Sequence, residues 1–555
     1  MIRLDYLGDW NPQLLRELKG RLKPQTLIVS GSVSVLSQIL VLLKFYADLP
    51  SNIPNAGTLY SRYCTGYYTG DRNDYYAHYT VTCLQNASGD LIINWQVWWL
   101  EVFKAISLVL PFVLLVVGAY ILISDIAKEE RRGTFNFIRL SPRASQNILL
   151  GKLLGTPILL YLGTALVVPL HIWSGLTGGA TLGSILSFYA TLLASCCLFY
   201  SASLLYALLG GLQAWLGALL VFITLFLFKN VEASLGYGAP GDLQWFSIPI
   251  GRNLSLAQGL LVLTCVFWTY WIWQALDRRF NNPGATPLSK QQSYLLTACF
   301  EVLLIGFFWH NLDKGAWQAE APFGSRLLES LFFLSVFNLL AFLGLIAALS
   351  PHRQTLQDWA RYQHQNRATA NHVVKRNGNT GNTSNQRLIQ DLLWGERSPA
   401  LVAIAVNTVI AATVLVPWIL LCPSGSLRLQ ALLSLELGCG LILVCAVLVQ
   451  LLLLMKTPKR VLWALGTLGA VIVLPPIVLL MLSLTPKEAA DLWLLTAFPV
   501  VALSQASAMS TGFALLGQWS VFVALSLRLH RQLRQAGESA TKALLAGRPA
   551  LAPEP

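Results

Sequence analysis

The stretch that decides the fold class is TLGSILSFYATLLASCCLFYSASLLYALLGGLQAWLGALLVFITLFLF, residues 181–228. It contains no Asp, Glu, Lys or Arg, and it is more than twice as long as the run of about 20 apolar residues that crosses a membrane once. Gly210-Gly211 lies inside it, and paired glycines readily break a helix. The stretch therefore predicts two membrane-spanning helices joined as a hairpin.

The rest of the chain has the same apolar character. Of its 555 residues, 55% are hydrophobic and 12% are charged, whereas soluble domains carry about 25% charged residues. A helix in a bilayer satisfies its backbone hydrogen bonds internally. We therefore expect an all-α polytopic membrane protein with about 12 transmembrane helices in two halves of roughly six, and interfacial amphipathic helices in addition. The other spans are predicted at residues 27–46, 107–124, 153–173, 257–275, 294–310, 327–349, 399–421, 429–455 and 461–484.

Lys and Arg are unevenly distributed among the predicted loops. They concentrate in the amino terminus, in residues 128–143, 278–290, 353–397 and 456–460, and in the carboxyl tail. Because basic loops stay cytoplasmic, we expect both termini to be cytoplasmic and the chain to be integral to the cell (inner) membrane. Residues 492–527 then cross once, after a half-inserted segment. The net charge of +13 is explained by this asymmetry and by attraction to the lipid bilayer, so no nucleic-acid partner is expected.

Two shorter segments have an amphipathic pattern. In NPQLLRELKGRLKP, residues 11–24, four leucines recur at helical spacing and basic residues surround them. Such a helix lies in the membrane interface. A weaker copy, QRLIQDLLWGERSP, directly precedes the span at residue 399.

Two of the nine cysteines lie in a long external loop, residues 47–94. An oxidising compartment would permit a disulfide between Cys64 and Cys83, which would stabilise the loop by roughly 3 kcal/mol. The alternative is two unpaired thiols in a loop that its tyrosines order.

The segment KEERRGTFNFIRLSPRASQNILLGKLL, residues 128–154, is a charged island between apolar stretches. Residues 129–132 place both signs of charge at the predicted cytoplasmic surface. Ser141-Pro142 predicts the start of a new helix, because a capping residue followed by proline is typical of helix starts. A short helix with charges of both signs toward the cytosol could dock a soluble partner. The alternative is an ordinary basic loop.

Several short motifs of the first half follow one another in an order known from one family. They are Asn11-Pro12, Arg16-Glu17-Leu18, Glu129-Glu130, Arg132-Gly133-Thr134, Ser141-Pro142 and Leu150-Gly151-Lys152. Through them residues 1–280 resemble the prokaryotic permease subunits of type-2 ATP-binding-cassette (ABC) transporters. The resemblance implies an interfacial helix that contains Asn11, Pro12, Arg16, Glu17 and Leu18. It also implies a coupling helix at residues 128–141, with docking residues Glu129, Glu130, Arg131, Arg132, Gly133, Thr134, Ser141 and Pro142.

The resemblance implies that a separate cytoplasmic ABC ATPase subunit docks on the coupling helix and powers transport, in the manner of an exporter. ATP and Mg would bind that partner. Permeases of the family work as pairs, so the chain is either a complete pair or one member of a dimer with a second permease copy. The substrate is not specified by any motif.

Three parts of the chain are expected. Residues 1–280 form the ABC-2-like half, residues 281–385 form two further spans and a flexible cytoplasmic linker at 350–385, and residues 386–555 form the second membrane half with its basic tail. The linker region is rich in Asn, Gln, Thr and Gly, a composition typical of flexible segments. The second half could also begin as early as residue 291.

The motifs of several enzyme classes are missing. The sequence contains no Gly-x-x-x-x-Gly-Lys-Ser/Thr phosphate loop, and its closest glycine cluster, RNGNTGNTSN, lacks the lysine. It contains no His-Glu-x-x-His helix and no Cys/His set with metal-ligand spacing. We therefore expect no ATPase activity, no other enzymatic activity, no cofactor and no metal site in this chain.

Two acidic residues lie inside predicted spans. Glu301 and Glu436 would be costly in lipid, which suggests a place in a transport pathway, although hydration or a helix contact would also accommodate them. They are the candidates for ion coupling if the chain is a secondary transporter instead. A non-transporting membrane scaffold is the remaining alternative.

Overall fold

The computed structural model describes residues 5–50, 60–66, 81–87, 90–237, 244–309, 326–363, 381–422 and 424–537. Within these ranges the chain is helical, apart from two two-residue strands, Tyr60–Ser61 and Val81–Thr82, that pair antiparallel. Eleven of the described helices are long and apolar enough to cross a membrane, and Ala214–Leu227 is a shorter apolar helix. The chain is thus an all-α polytopic membrane protein, as the composition predicts.

The contacts divide the chain into two compact units. The first unit is Met1–Gly241 with Gly251–Asn281, and the second is Asp242–Ile250 with Asn282–Pro555. The division beside residue 281 is close to the predicted end of the first half. The expected separate part at 281–385 is not a body of its own, because its two membrane helices pack against helices that begin after residue 400.

The described part of the first unit has eleven α-helices, which we number in chain order. They are α1 (Asp5–Trp10), α2 (Pro12–Arg21), α3 (Pro24–Ala47), α4 (Trp95–Phe112), α5 (Gly118–Arg131), α6 (Thr134–Arg139), α7 (Ser145–Gly155), α8 (Ile158–Thr177), α9 (Leu182–Leu208), α10 (Ala214–Tyr237) and α11 (Leu254–Asn281). The predicted break at Gly210-Gly211 is confirmed, because α9 and α10 are separated by a turn in which Gly210 has a φ of +93°. That left-handed conformation suits glycine, which has no Cβ to clash. Of the two helices, α9 is among the eleven candidate spans, whereas the apolar part of α10, Ala214–Leu227, is shorter.

One π-helical turn, Val113–Val117, joins α4 to α5 into a single long membrane helix. The turn follows Pro111, whose missing N–H interrupts the ordinary helix ladder. The Tyr200 hydroxyl of α9 donates a hydrogen bond of 2.6 Å to the Leu114 carbonyl oxygen, so the irregular turn has a partner inside the core. Gly118 lies against the Tyr200 ring, where a side chain would not fit.

The second unit has nine helices in its described part. They are α12 (Lys290–Phe308), α13 (Arg326–Leu349), α14 (353–363), α15 (Gly381–Trp394), α16 (Leu401–Leu420), α17 (Gly425–Leu453), α18 (Arg460–Met481), α19 (Ala490–Trp493) and α20 (Ala508–Gly537). Residues 490–503 contain only α19, turns and a short 3-10 helix, Pro499–Val501, before the long α20. This arrangement agrees with one crossing in the last apolar stretch.

The predicted flexible linker at 350–385 is wrong in part. Residues 353–363 form α14, and residues 364–380 lie outside the described residues. The Trp359 indole N–H of α14 donates a hydrogen bond of 2.5 Å to the carboxylate of Asp391 on α15. Polar composition alone did not reveal this helix, because its contacts with α15 include hydrogen bonds from Trp359 and Gln363 to Asp391, which no local pattern predicts. The predicted amphipathic helix before residue 399 is present as α15.

The two units pair their membrane helices in the same order. In the first unit the first membrane helix packs on the third (α3 on α8), the second on the fourth (α5 on α9), and the fourth on the sixth (α9 on α11). In the second unit the same three pairings are α12 on α16, α13 on α17, and α17 on α20. The second unit therefore repeats the helix order of the first, although the sequences share no evident motif.

A disulfide joins Cys64 to Cys83 in the loop after α3. Cys64 is buried, and its backbone pairs with that of Ile93 in an isolated antiparallel β-bridge. The backbone N–H of Asn94 donates a hydrogen bond to the Tyr63 carbonyl oxygen. The covalent link therefore holds the start of α4 to the loop. Residues 51–59, 67–80 and 88–89 of the predicted external loop lie outside the described residues.

The close approach of Gly118 to Tyr200 gives a first prediction. Gly118→Ala places a Cβ on the Tyr200 hydroxyl, so we expect it to lower the free energy of unfolding by about 1–3 kcal/mol. Gly259→Ala on α11 is the control, since no atom lies within 4 Å of its new Cβ and alanine favours a helix by about 1 kcal/mol. Thermal unfolding of the two purified variants in detergent checks this. Equal melting temperatures would contradict the packing described.

Candidate docking surface and the ion cluster beneath it

The charged island forms two helices and not one. Glu129 to Arg131 are the last turn of α5, Gly133 adopts a left-handed φ of +70°, and α6 then runs over Thr134–Arg139. The predicted single coupling helix at 128–141 is therefore wrong in its extent. The physical reason is the left-handed backbone conformation of Gly133, which ends the hydrogen-bond ladder of α5 and turns the chain.

Ser141-Pro142 does not start a helix. The two residues lie in a turn, and α7 begins only at Ser145. The Ser145 hydroxyl donates a hydrogen bond to the carboxylate of Asp277 on α11. This contact from a distant part of the chain fixes the start of α7, and the local cap-and-proline pattern gave no sign of it.

A buried ammonium group lies beneath the charged island. Nζ of Lys152, on α7, donates hydrogen bonds of 2.6 Å to Glu17 Oε1, 2.7 Å to Asp125 Oδ2 and 2.7 Å to Glu129 Oε1. The Lys152 side chain is 3% exposed. The three carboxylates come from α2 and α5, so one cation joins three helices. We call these four side chains the ion cluster.

Two arginines complete the charge balance of the ion cluster. Arg21 contacts Glu17 at 3.1 Å and Asp125 at 2.5 Å. Arg16 lies 3.9 Å from Glu129 and is largely exposed. Three carboxylates therefore face Lys152, Arg21 and the more distant Arg16, and the charges cancel. Buried charges that are fully paired are tolerated, whereas an unpaired one is strongly destabilising.

The carboxylates keep Lys152 charged. Burial lowers the pKa of Lys152, but the three nearby carboxylates outweigh burial and raise the pKa above its usual 10.5. A group whose pKa is raised by folding stabilises the fold below its unfolded pKa and loses that contribution as the pH rises through the folded pKa. The contribution of Lys152 is thus fully present at neutral pH and is lost in strongly alkaline solution. Acid weakens the ion cluster from the other side by protonating its carboxylates, among them Glu129, whose pKa burial raises.

The same three carboxylates have a spacing that could hold a metal ion. Ligand oxygens of Glu17, Asp125 and Glu129 lie within 4.8 Å of one another. The Lys152 ammonium group, however, already contacts all three. The three carboxylates therefore bind the Lys152 ammonium group in the place that a metal ion would take.

The predicted interfacial helix, α2, packs tightly on α7. Asn11 caps it by accepting a 2.9 Å hydrogen bond from the Leu14 N–H, and its amide donates to the Asn147 carbonyl oxygen at 2.6 Å. A Cβ at Gly151 would lie 2.7 Å from Asn11 Oδ1, so glycine permits this approach. Leu14 and Leu18 are buried at the contact. The amphipathic stripe therefore packs on α7.

The outer side of α6 is an unusual apolar surface. Its inner residues Phe135 and Ile138 are buried, and Phe135 packs edge-to-face on Phe280 at 5.9 Å. Phe137 and Leu140, in contrast, are 81% and 82% exposed. Charged and polar side chains surround this pair. We call Lys128, Glu130, Arg131, Arg132, Thr134, Phe137, Leu140 and Arg143, all exposed, the docking surface.

The docking surface differs from the expected two-signed patch. Glu129 is withdrawn into the ion cluster, so Glu130 is the acidic group that remains beside four exposed basic residues. Burial by Phe135 and its neighbours lowers the pKa of the Arg139 guanidinium, which lies 4.7 Å from the Phe135 ring. The surface is therefore mainly basic with an apolar centre.

The two predicted intramembrane acids have opposite surroundings. Glu301 on α12 is 0% exposed, and the Asn338 amide donates to it at 3.5 Å. Glu436 on α17 is exposed and accepts a 3.1 Å hydrogen bond from the Trp519 indole. Only Glu301 is thus enclosed by protein.

The sequence reasoning missed the ion cluster. It placed Glu17, Glu129 and Lys152 in separate motifs and gave Asp125 and Arg21 no role. A signal was present, since Lys152 and Asp125 both stand in otherwise apolar surroundings, where a charge needs a partner. Their partners could not be identified because they lie on different helices.

Removal of the Lys152 charge should destabilise the first unit. Lys152→Met leaves three carboxylates without their shared cation, so we expect the free energy of unfolding to fall by about 3–5 kcal/mol. Lys128→Met is the matched control on the exposed surface, with an expected change within about 0.5 kcal/mol. Chemical unfolding in detergent measures both. Adding Glu17→Gln to Lys152→Met should recover part of the loss, and no recovery would contradict mutual repulsion of the carboxylates.

No protein-family model, curated protein or solved structure matches this chain.

Proposed function

We propose that the chain is the membrane-spanning permease of a type-2 ABC exporter, powered by a separate cytoplasmic ATPase subunit. The observation that carries the proposal is the docking surface, in which Phe137 and Leu140 are more than four-fifths exposed on a helix that Phe135 and Ile138 anchor from below. Exposed apolar side chains within a polar rim are typical of protein-binding sites.

The ion cluster supports a mechanical link from the docking surface to the membrane helices. The docking helix α6 lies between α5 and α7 in the chain, and both carry residues of the ion cluster. A displacement of α6 by a partner would act on α5, α7 and, through Glu17, on α2. Such a partner changes the permease only if it binds one conformation more tightly than the other.

The sequence supports a motor on a different polypeptide. It lacks a phosphate loop, so ATP and Mg would bind the partner subunit. The repeated helix pairing in the two units supports a chain that supplies two equivalent halves of a permease, without need of a second copy. The basic side chains of the docking surface would attract a partner whose matching face is acidic.

Loss of the apolar centre should abolish docking. We expect the double variant Phe137→Ser/Leu140→Ser to reduce co-purification of a nucleotide-binding subunit from native membranes by more than tenfold. Burial of each side chain contributes about 1.5–3 kcal/mol, and 1.4 kcal/mol corresponds to a factor of ten. The control Ile389→Ser removes another exposed apolar side chain, on α15, and should leave association unchanged.

Charge reversal provides a second test of the same surface. Glu130→Lys/Arg132→Glu keeps the apolar pair and the net charge but exchanges the positions of the charges around it. We therefore expect weaker association at low salt, and a smaller difference from the wild-type chain at high salt, which screens exposed charges. If native membranes yield no nucleotide-binding subunit with the wild-type chain, or if both double variants bind it fully, the proposal is wrong.

The buried Glu301 favours one alternative, an ion-coupled secondary transporter. Ionisable groups enclosed within membrane proteins are typical of ion pathways. Transport by the purified chain in vesicles under an ion gradient, without ATP or a partner, would support this alternative and exclude the ATPase-powered permease.

A further inference from the structure

A stripe of buried polar side chains runs along α12 in the second unit. Lys290, Ser293, Thr297 and Glu301 recur at intervals of three or four residues, which places them on one face of the helix. All four are at least 97% buried. Buried polar groups are normally hydrogen-bonded, so a member of the stripe without a partner would be unusual.

The first three members of the stripe have all the partners they need. Lys290 Nζ donates to the Leu392 carbonyl oxygen at 2.6 Å and to the Ser398 hydroxyl at 2.7 Å. The Asn407 side chain donates to Ser293 Oγ at 3.0 Å and accepts from Thr297 Oγ1 at 2.9 Å. This part of the stripe is a satisfied network that joins α12 to α16.

Glu301 differs from the other three. Oε2 accepts a long hydrogen bond of 3.5 Å from Asn338 Nδ2, while Oε1 has no partner among the described residues. Asn338 Oδ1 is also buried without a partner there. Two neighbouring acceptors therefore lack a donor or a cation, although each residue is more than nine-tenths buried.

The charged groups around Glu301 do not neutralise it. On α17, which packs against α13 and α16, the nearest titratable groups are Cys439 and Glu436. On α13, Arg326 and Glu329 both stand in the first turn. They precede Asn338 by 12 and 9 residues, about 18 and 14 Å at 1.5 Å per residue. α16 has no ionisable side chain. Lys290 is eleven residues away along α12, about 16 Å at 1.5 Å per residue, and hydrogen-bonds elsewhere.

A small cavity lies on the Asn338 side of this pair, with Asn338 as one of its lining residues. Its volume is about 50 Å³, and Asn338, Thr408, Ser434 and Cys439 contribute polar groups to its otherwise apolar wall. A water molecule needs about 10–15 Å³ of such volume. The cavity can therefore hold an ion or a few waters, and it is too small for an organic substrate.

We infer that Glu301 and Asn338 form a binding site for one small monovalent cation, either a proton or an inorganic ion from the cavity. A proton on Oε1 would turn that oxygen into a donor toward Asn338 Oδ1 and satisfy both orphan acceptors at once. A sodium-sized ion would satisfy them by direct coordination, since both are hard oxygen ligands. Either cation removes the cost of a bare carboxylate inside the membrane. This inference does not depend on the proposed ATPase partner.

The test compares cations on the purified full-length chain in detergent. Its melting temperature is measured in LiCl, NaCl, KCl and N-methylglucamine chloride at equal ionic strength and fixed pH. Infrared spectra at neutral pH then report whether a protonated carboxyl group is present. Glu301→Gln keeps the shape of the side chain and removes its charge, and Glu436→Gln is the matched control at the exposed acid.

Two outcomes support the site and distinguish the cations. A saturable rise of the melting temperature with one inorganic ion, reduced more than tenfold in apparent affinity by Glu301→Gln and kept by Glu436→Gln, assigns an inorganic ion. No ion effect, together with a protonated-carboxyl band that only Glu301→Gln removes, assigns a proton. An ionised Glu301 without any ion effect, or effects that survive in Glu301→Gln, would overturn the inference.

Discussion

The contact of the Lys152 ammonium group with three carboxylates is the interaction on which the first unit depends. A buried charge must be compensated where it stands, so Glu17, Asp125 and Glu129 fix α2 and the end of α5 relative to α7. Apolar packing alone leaves helices free to slide, whereas a shared cation has one optimal position. The ion cluster therefore fixes the end of α5, after which Gly133 turns the chain into α6.

The second unit uses its own buried lysine in a different way. Lys290 binds carbonyl oxygens and a serine hydroxyl near the end of α15, where the partial negative charge of a helix carboxyl terminus favours a cation. The two units share a helix order, but the buried lysine of the first unit binds carboxylates, whereas Lys290 of the second binds oxygens near the carboxyl end of α15. This contrast explains why the charged motif of the first unit has no recognisable copy in the second.

The docking surface and the Glu301 site depart from the usual pattern of burial in opposite ways. Phe137 and Leu140 are apolar side chains left exposed, and Glu301 is an acid enclosed without a full set of partners. Both arrangements cost free energy in the isolated chain. A protein surface over the first and a small cation at the second, as we propose, would relieve that cost. Residues that depart from the general pattern of burial are therefore the ones that point to function.

The sequence by itself determined the features that depend on local composition. Membrane helices, the break at Gly210, the amphipathic α2 and α15, and the cysteine pair all follow from hydropathy, periodicity and spacing along the chain, because a bilayer selects for continuous apolar runs. Only the tertiary structure decided the ion cluster, the start of α7 and the surroundings of Glu301. Glu17 and Lys152 are 135 residues apart, and Ser145 and Asp277 are 132 apart. Partners at such separations are chosen by how helices pack against each other, which no local pattern records.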